Sequence, residues 1–341
     1  MINNVNKRFF TILLFLMIPI CFVCDILFGS VHIPFDAFVD VLSGEGENEL
    51  WYNIITRLRL PRAVAAILVG TALPVSGLLM QTLFRNPLAD PYILGISTGA
   101  SLGVAVFSLA GGFSLGLFPT LWGSLGTAGA ALIGAALIMT VILVMAPHIH
   151  DTVTLLIIGI MFGSITSAIV NVLQYFAHPD EVHSFLLWTM GSLANISNNE
   201  LAIMACFVFP TVIGSLLINK QLDAILLGEN YAFSLGVNTK MLRIAIIVLS
   251  AILAGIVTAF AGPIGFVGMT IPHVARFLFK TNSHKVLIIN SILIGVNLML
   301  ICDMIAQLPG MQAILPINTV TAIFGAPIVI VVLFRGRRNA I

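Results

Sequence analysis

Residues 91–150 read PYILGISTGASLGVAVFSLAGGFSLGLFPTLWGSLGTAGAALIGAALIMTVILVMAPHIH, sixty consecutive positions without one Asp, Glu, Lys or Arg. A soluble fold has no surface on which to place such a stretch, whereas a bilayer does: about 20 predominantly apolar residues cross its hydrocarbon core. Inside that core every backbone N–H and C=O must be bonded within its own segment, so the spans are expected to be helical. Working outward, further apolar runs fall from Lys7-Arg8 to Phe28 and at 62–83, 92–110, 121–146, 152–176, 201–218, 242–260, 263–279, 286–307 and 314–334. The first run has the outline of a signal peptide but no convincing small-residue cleavage site, and reads as a retained span. The whole chain of 341 residues is 59% hydrophobic and 9% charged, against roughly 25% charged in soluble domains. That excludes a soluble globular enzyme. The expectation is an all-α integral membrane protein of about ten transmembrane helices, with residues 1–341 forming a single polytopic domain.

The charges sort by side. An even number of spans puts both termini together, and the excess of Lys and Arg marks the cytoplasmic face. With the termini inside, Lys7, Arg8, Arg85, Lys220, Lys240, Arg243, Arg276, Lys280, Lys285, Arg335, Arg337 and Arg338 fall on the inner side, and only Arg57, Arg59 and Arg62 outside. Asp36, Asp40, Glu45, Glu47, Glu49, Asp180, Glu181 and Glu200 fall on the outer loops. A net charge of +1 speaks against a nucleic-acid partner, which needs a clustered basic face.

Energy-supplying chemistry is hard to find. A phosphate-binding loop requires Gly-Lys-Ser/Thr, yet none of the five lysines follows a glycine. An ion-coupled carrier wants ionisable groups near the bilayer midplane, while Asp25, Arg276 and Asp303 are expected near helix ends. An intramembrane enzyme would need a nucleophile, base or metal set, and the candidate His273 has no carboxylate close in sequence. No metal site is expected; His148-x-His150 offers two ligands with only Asp151 beside them. Cys21, Cys24, Cys206 and Cys302 read as small hydrophobes, since the Cys-x-x-Cys pair lies in a span and not beside a βαβ pattern. Gly99/Gly103, Gly112/Gly116 and Gly159/Gly163, each four apart, suit close helix packing.

A pore-forming subunit driven in trans needs a docking site on the cytoplasmic side. The longest inner loop, NKQLDAILLGENYAFSLGVNTKMLR (219–243), mixes Leu, Ile and Phe with charges and reads as short amphipathic helices broken at Gly228 and Gly236. Composition leaves two uses open, lying on the lipid interface or filling a groove on a partner.

Several motifs, taken in order, resemble one family. Arg59-Leu-Pro-Arg62 through Gln81, Arg85-Asn-Pro-Leu-Ala-Asp-Pro91, Leu94-Gly-Ile-Ser-Thr-Gly-Ala100, Trp188-Thr-Met-Gly-Ser192, Leu227–Gly236, Ala261-Gly-Pro-Ile-Gly-Phe-Val-Gly268, Ile271-Pro-His-Val-Ala-Arg276 and Gly325-Ala-Pro327 are similar to the signature of FecCD-type permeases. These are the membrane subunits of type II ABC importers for iron-siderophores, haem and cobalamin. The resemblance implies a non-enzymatic permease of the bacterial inner membrane, paired with a second copy or with a related permease, with two cytoplasmic ABC ATPases that carry ATP and Mg and an extracytoplasmic binding protein; no cofactor is bound by this chain. It implies ATPase coupling through a segment at about 220–240, by Leu222, Ile225, Leu226, Leu227, Gly228, Glu229, Ala232, Leu235 and Gly236. Binding-protein docking would fall to Arg57, Arg59 and Arg62, since guanidinium bonds carboxylate bidentately. A translocation path would be lined by Ser164, Thr166, Ser167, Asn171, Thr319 and Thr321. Two positions depart from the pattern: Asp303-Met-Ile-Ala-Gln307 ends in Gln where many members have Arg, and Asn318 stands where Gly usually follows Pro-Ile. Iron-siderophore is the first-choice cargo, with cobalamin or haem as alternatives and an ion-coupled secondary transporter as the rival from another class.

Overall fold

The computed structural model describes residues 4–29, 31, 33–43, 48–109, 118–149, 152–194, 196–307 and 314–338. Glu45, Glu47, Gly112, Gly116, His150 and Asp151 lie outside the described residues. The elements among the described residues are helices: α1 (Asn4–Leu27), α2 (Phe35–Ser43), α3 (Glu49–Asn53), α4 (Leu60–Phe84), α5 (Ile96–Leu109), α6 (Phe118–Met145), α7 (Thr152–Phe176), α8 (Pro179–Thr189), α9 (Asn198–Leu217), α10 (Asn219–Leu226), α11 (Glu229–Ser234), α12 (Thr239–Ala261), α13 (Val267–Phe279), α14 (His284–Ala306) and α15 (Ile317–Arg338).

Helix boundaries follow from local chemistry. Asn48 Oδ1 accepts from the Leu50 N–H and starts α3, which runs through a π-helical stretch at Ile54–Arg59 into α4, making one rod from Glu49 to Phe84. Asp90 accepts from the Tyr92 N–H with Pro91 at the first helical position, and opens a 3-10 turn at Pro91–Leu94. Gly95, at φ +82°, then turns the chain into α5, a backbone region open to glycine at little cost. Ser197 and Glu200 close a reciprocal capping box at the start of α9. The Gly262–Phe266 segment is a non-helical break between α12 and α13, with Gly262 at φ +75°, so the helix in the run at 263–279 begins only at Val267.

Among the described residues seven helices are long and apolar enough to cross a membrane, and three shorter apolar ones accompany them at Ile96–Leu109, Val267–Phe279 and Ile317–Val331. The 14 residues of α5 reach only about 21 Å at 1.5 Å per residue, short of the ~30 Å hydrocarbon core. The 3-10 turn before α5 and the break before α13 explain why the sequence reads 92–110 and 263–279 as full-length spans.

Lipid tails are as apolar as leucine, so helices associate through close backbone packing and internal polar ties rather than by hydrophobic exclusion. Buried along nearly its whole length, α4 is the axis of the bundle, packed by α9, α12, α13 and α14. Gly70 faces Gly295 of α14 and Gly77 faces Gly268 of α13, backbone against backbone. Gly99 and Gly103 do the same against Gly134 and Ala130, joining α5 to α6, and Gly159 seats α7 on Ile93 and Leu94. Polar ties complete the frame: Ser76 with Ser250 between α4 and α12 at 2.6 Å, Gln81 to the Met269 carbonyl at 2.8 Å, and Arg276 to Gln81 at 2.5 Å. Thr11 donates to Asn290 at 2.9 Å and Asn297 to the Leu14 carbonyl at 2.9 Å, fastening α1 to α14.

Candidate functional site

Three surfaces gather the residues singled out from the sequence. The first is the α10–α11 pair, at the end of the bundle where α4 finishes and α14 begins. Gly228 at φ +124° and Gly236 at φ +82° provide the two breaks, and each lies where a β-carbon meets open space. The constraint on both is therefore backbone conformation, not room. Leu222, Ile225 and Ala232 are buried and face the bundle, whereas Leu226, Leu227, Leu235 and Gly236 are exposed and Glu229 is half-buried. With Tyr231 and Phe233, the exposed Leu227 and Leu235 make an apolar crest; Phe233 is 73% exposed. The crest is clamped from beneath. Arg85 donates to the Ile225 carbonyl at 3.1 Å, and Arg243 reaches Glu229 at 3.2 Å and the Ile149 carbonyl at 2.7 Å. The aromatic crest residues and the clamping arginines were not singled out from the sequence. A short Gly-bounded helix dense in aromatic and leucine residues was the available signal for the crest, while nothing local announces the arginines.

The second surface is the face of α7 turned toward the 3-10 turn and α5. Ser164, Ser167 and Asn171 line a cavity of about 510 Å³ with Tyr92, Thr98 and Gly163. Thr166 is turned away and buried, its hydroxyl spent on the Phe162 carbonyl. On α15, Thr319 is exposed and Thr321 is buried, donating to the Asn318 carbonyl at 3.1 Å. So the structure brings together three of the six residues read as path-lining and leaves Thr166, Thr319 and Thr321 outside that cavity. The wall mixes hydroxyls and an amide with Ile93, Ile160, Ala168 and glycine, and carries no formal charge.

The third surface is the opposite end of the bundle. Arg57 is exposed, but Arg59 and Arg62 are turned inward and buried. Arg59 donates to the carbonyls of Phe28 at 3.1 Å and Val31 at 3.2 Å. Arg62 Nε lies 2.8 Å from both oxygens of the fully buried Asp303 carboxylate. Gln307 donates to Asp303 at 2.8 Å and to Asp25 at 3.3 Å. The residue that replaces a family arginine thus completes an internal network joining α1, α4 and α14. Asn318, the other departure, accepts from the Gly265 N–H at 2.9 Å and pins the α12–α13 break to the start of α15. Among the described residues no three of His, Cys, Asp and Glu gather to hold a metal ion.

The structure is a polytopic helical bundle with a clamped apolar crest at one end and an uncharged cavity in its wall. The comparisons define its class. The FecCD transport family matches residues 15–335, and the chain belongs to that family. It is 35% identical over 312 residues to the hemin transport system permease protein HmuU of Yersinia pestis, covering 91% of each chain. To the vitamin B12 import system permease protein BtuC of Klebsiella pneumoniae it is 36% identical over 301 residues, 87% of this chain and 85% of the other. A solved structure assigned to the metal-chelate type of ABC transporter, in an inward-facing conformation, superposes with a TM-score of 0.84 at 27% identity, over 96% of this chain and 99% of that one. The chain is a non-catalytic permease subunit of an ABC importer of the inner membrane, with ATP hydrolysed on a separate ATPase.

Proposed function

We propose that this permease moves a tetrapyrrole metal chelate, haem or cobalamin, from a binding protein into the cytoplasm. It would act as a pair of copies, with ten membrane helices each, both termini cytoplasmic and α10–α11 seated on the ATPases. The observation that carries the reading is the apolar crest of Leu227, Tyr231, Phe233 and Leu235, exposed yet held from below by Arg85 and Arg243. ATP-driven closure of an ATPase moves a permease only through a stiff contact, and an apolar helix face in a groove supplies one. The same end carries Lys220, Lys240, Lys280 and Lys285, as a cytoplasmic face should. Lipid contact would instead favour an uninterrupted amphipathic helix lying in the interface plane; this pair is short and twice broken.

The hemin and vitamin B12 permeases support a tetrapyrrole cargo over the ferric siderophore that the sequence alone places first. An uncharged wall around Ser164, Ser167 and Asn171 suits a bulky ligand that must pass without being held. On the outer side, Arg57 would meet the binding protein while Arg59 and Arg62 hold the docking surface in shape. In proteoliposomes containing the permease, its ATPase and its binding protein, hemin or cyanocobalamin is expected to stimulate ATP hydrolysis and to accumulate inside. Stimulation by ferric siderophores alone would refute the cargo, and uptake driven by an imposed ion gradient without hydrolysis would refute the energy coupling.

Coupling has its own check. Gly228→Pro, or a charged residue at Leu226, is expected to leave ATP hydrolysis running while uptake falls to background. Proline cannot adopt φ +124°, and the half-exposed Leu226 borders the crest. Unchanged uptake in both variants would sink the role of this segment.

A further inference from the structure

The α10–α11 pair is joined to the bundle core by a chain of side chains, buried at its inner members, that the clamp described above does not include. Asp223 sits on α10, His284 is the first residue of α14, and Thr82 lies in the last turn of α4. Asp223 Oδ1 accepts twice from His284, from the backbone N–H at 2.7 Å and from Nδ1 at 2.6 Å. His284 Nε2 is 2.8 Å from the Thr82 hydroxyl, which also lies 2.8 Å from the Leu78 carbonyl of its own helix. His284 is fully buried and Thr82 nearly so, while the Asp223 side chain is 39% exposed.

The chemistry makes this a directed link. A carboxylate only accepts, so Nδ1 carries the proton toward Asp223 and Nε2 is turned to the Thr82 hydroxyl. The Asp223 carboxylate also does for α14 what a capping side chain does, since the Ser283 side chain at the cap position does not cap the helix. It brings a negative charge to the free N–H groups and positive dipole end of that helix. One side chain of α10 therefore holds α14 by its first amide and, through an imidazole, holds α4. These are the two helices pressed together at Gly70 and Gly295 and tied again at their far ends by Arg62 and Asp303. Movement of α10 reaches the α4–α14 axis by this route without passing through a flexible loop.

We propose that Asp223 and His284 are positioning residues for energy coupling, transmitting displacement of the α10–α11 pair to the α4–α14 axis; this rests on the coupling reading of that pair. The test uses the assembled complex of permease, ATPase and binding protein loaded with hemin or cyanocobalamin. Asp223→Ala is expected to assemble normally and keep basal ATP hydrolysis, while hydrolysis stimulated by loaded binding protein and uptake both fall about tenfold, as loss of a charge-assisted hydrogen bond allows. Asp223→Asn, which retains the accepting oxygen, is expected to restore at least half of the stimulation; Thr82→Val, which cuts the far end of the chain, is expected to behave like Asp223→Ala. A merely structural role would lower assembly or the thermal midpoint and leave turnover per complex unchanged, and that result overturns the proposal. Phe233→Asp serves as the control on the underlying reading. If it abolishes assembly while Asp223→Ala couples as wild type, the link fails and the coupling surface stands; if Phe233→Asp assembles and couples normally, both fall.

Discussion

Arg62→Ala is expected to remove most of the folded permease from the membrane. The Arg62 guanidinium lies 2.8 Å from both oxygens of Asp303, which has no exposed surface, with Gln307 bridging Asp303 to Asp25. Deleting the guanidinium leaves two buried carboxyls sharing one amide. Breaking a buried pair from one side typically costs 3–5 kcal/mol, because the remaining charge keeps its desolvation penalty and loses its partner. Against a total stability of about 5–15 kcal/mol that is a large fraction. Yield of monodisperse protein and the thermal midpoint in detergent would both drop. The double variant Arg62→Met with Asp303→Leu is expected to recover much of the loss, since apolar replacement of a whole buried pair is often neutral or stabilising. If Arg62→Ala were as stable as the parent and weakened only binding-protein association, the guanidinium would belong to the docking surface instead.

Gly77→Val should be nearly as damaging, for a different reason. A β-carbon at Gly77 would fall inside the van der Waals envelope of the Gly268 carbonyl, and one at Gly70 would lie 2.6 Å from the Gly295 carbonyl oxygen. In each case the obstacle is backbone of a neighbouring helix, so no side chain can swing aside and the helices must part. Overpacking costs typically 1–3 kcal/mol and occasionally more, and a clash with fixed backbone belongs at the upper end. Separation of α4 from α13 would also disturb the Gln81 bonds to Met269 and Arg276. Gly129→Ala in α6, where a β-carbon meets nothing within 4 Å, is the matched control and should leave the thermal midpoint unchanged. Equal midpoints for Gly77→Val and Gly129→Ala would refute the close-packing argument.

Some of the site was legible beforehand because it is written in local terms. Gly228 and Gly236 flank short amphipathic segments, and both adopt the positive φ that ends a helix. Asp90 followed by proline caps a turn. The Gly99/Gly103 and Gly159/Gly163 spacings sit at helix contacts. Other parts were not legible. Six polar residues on two helices were equivalent candidates for the path, and only the rotation of α7, set by Gly159 against Ile93 and Leu94, turns Ser164, Ser167 and Asn171 to one cavity and Thr166 away. A hydroxyl in lipid can always bond its own helix backbone, so its presence on a span does not say which way it faces.

The sequence by itself determined that this chain lives in a membrane as a bundle of helices, because sixty residues without a charge have no stable place in water and no backbone bonds in lipid except their own. Its ordered motifs also determined the family. Only the tertiary structure decided the direction of the arginines. Arg62 and its partner Asp303 are 241 positions apart, and a guanidinium at the start of a helix reads the same from sequence whether it reaches out to another protein or in to a carboxylate. The same separation hid the link from Asp223 through His284 to Thr82, whose members lie on three different helices. Long-range polar pairs are made by packing, and packing here is set by where glycines let backbones meet.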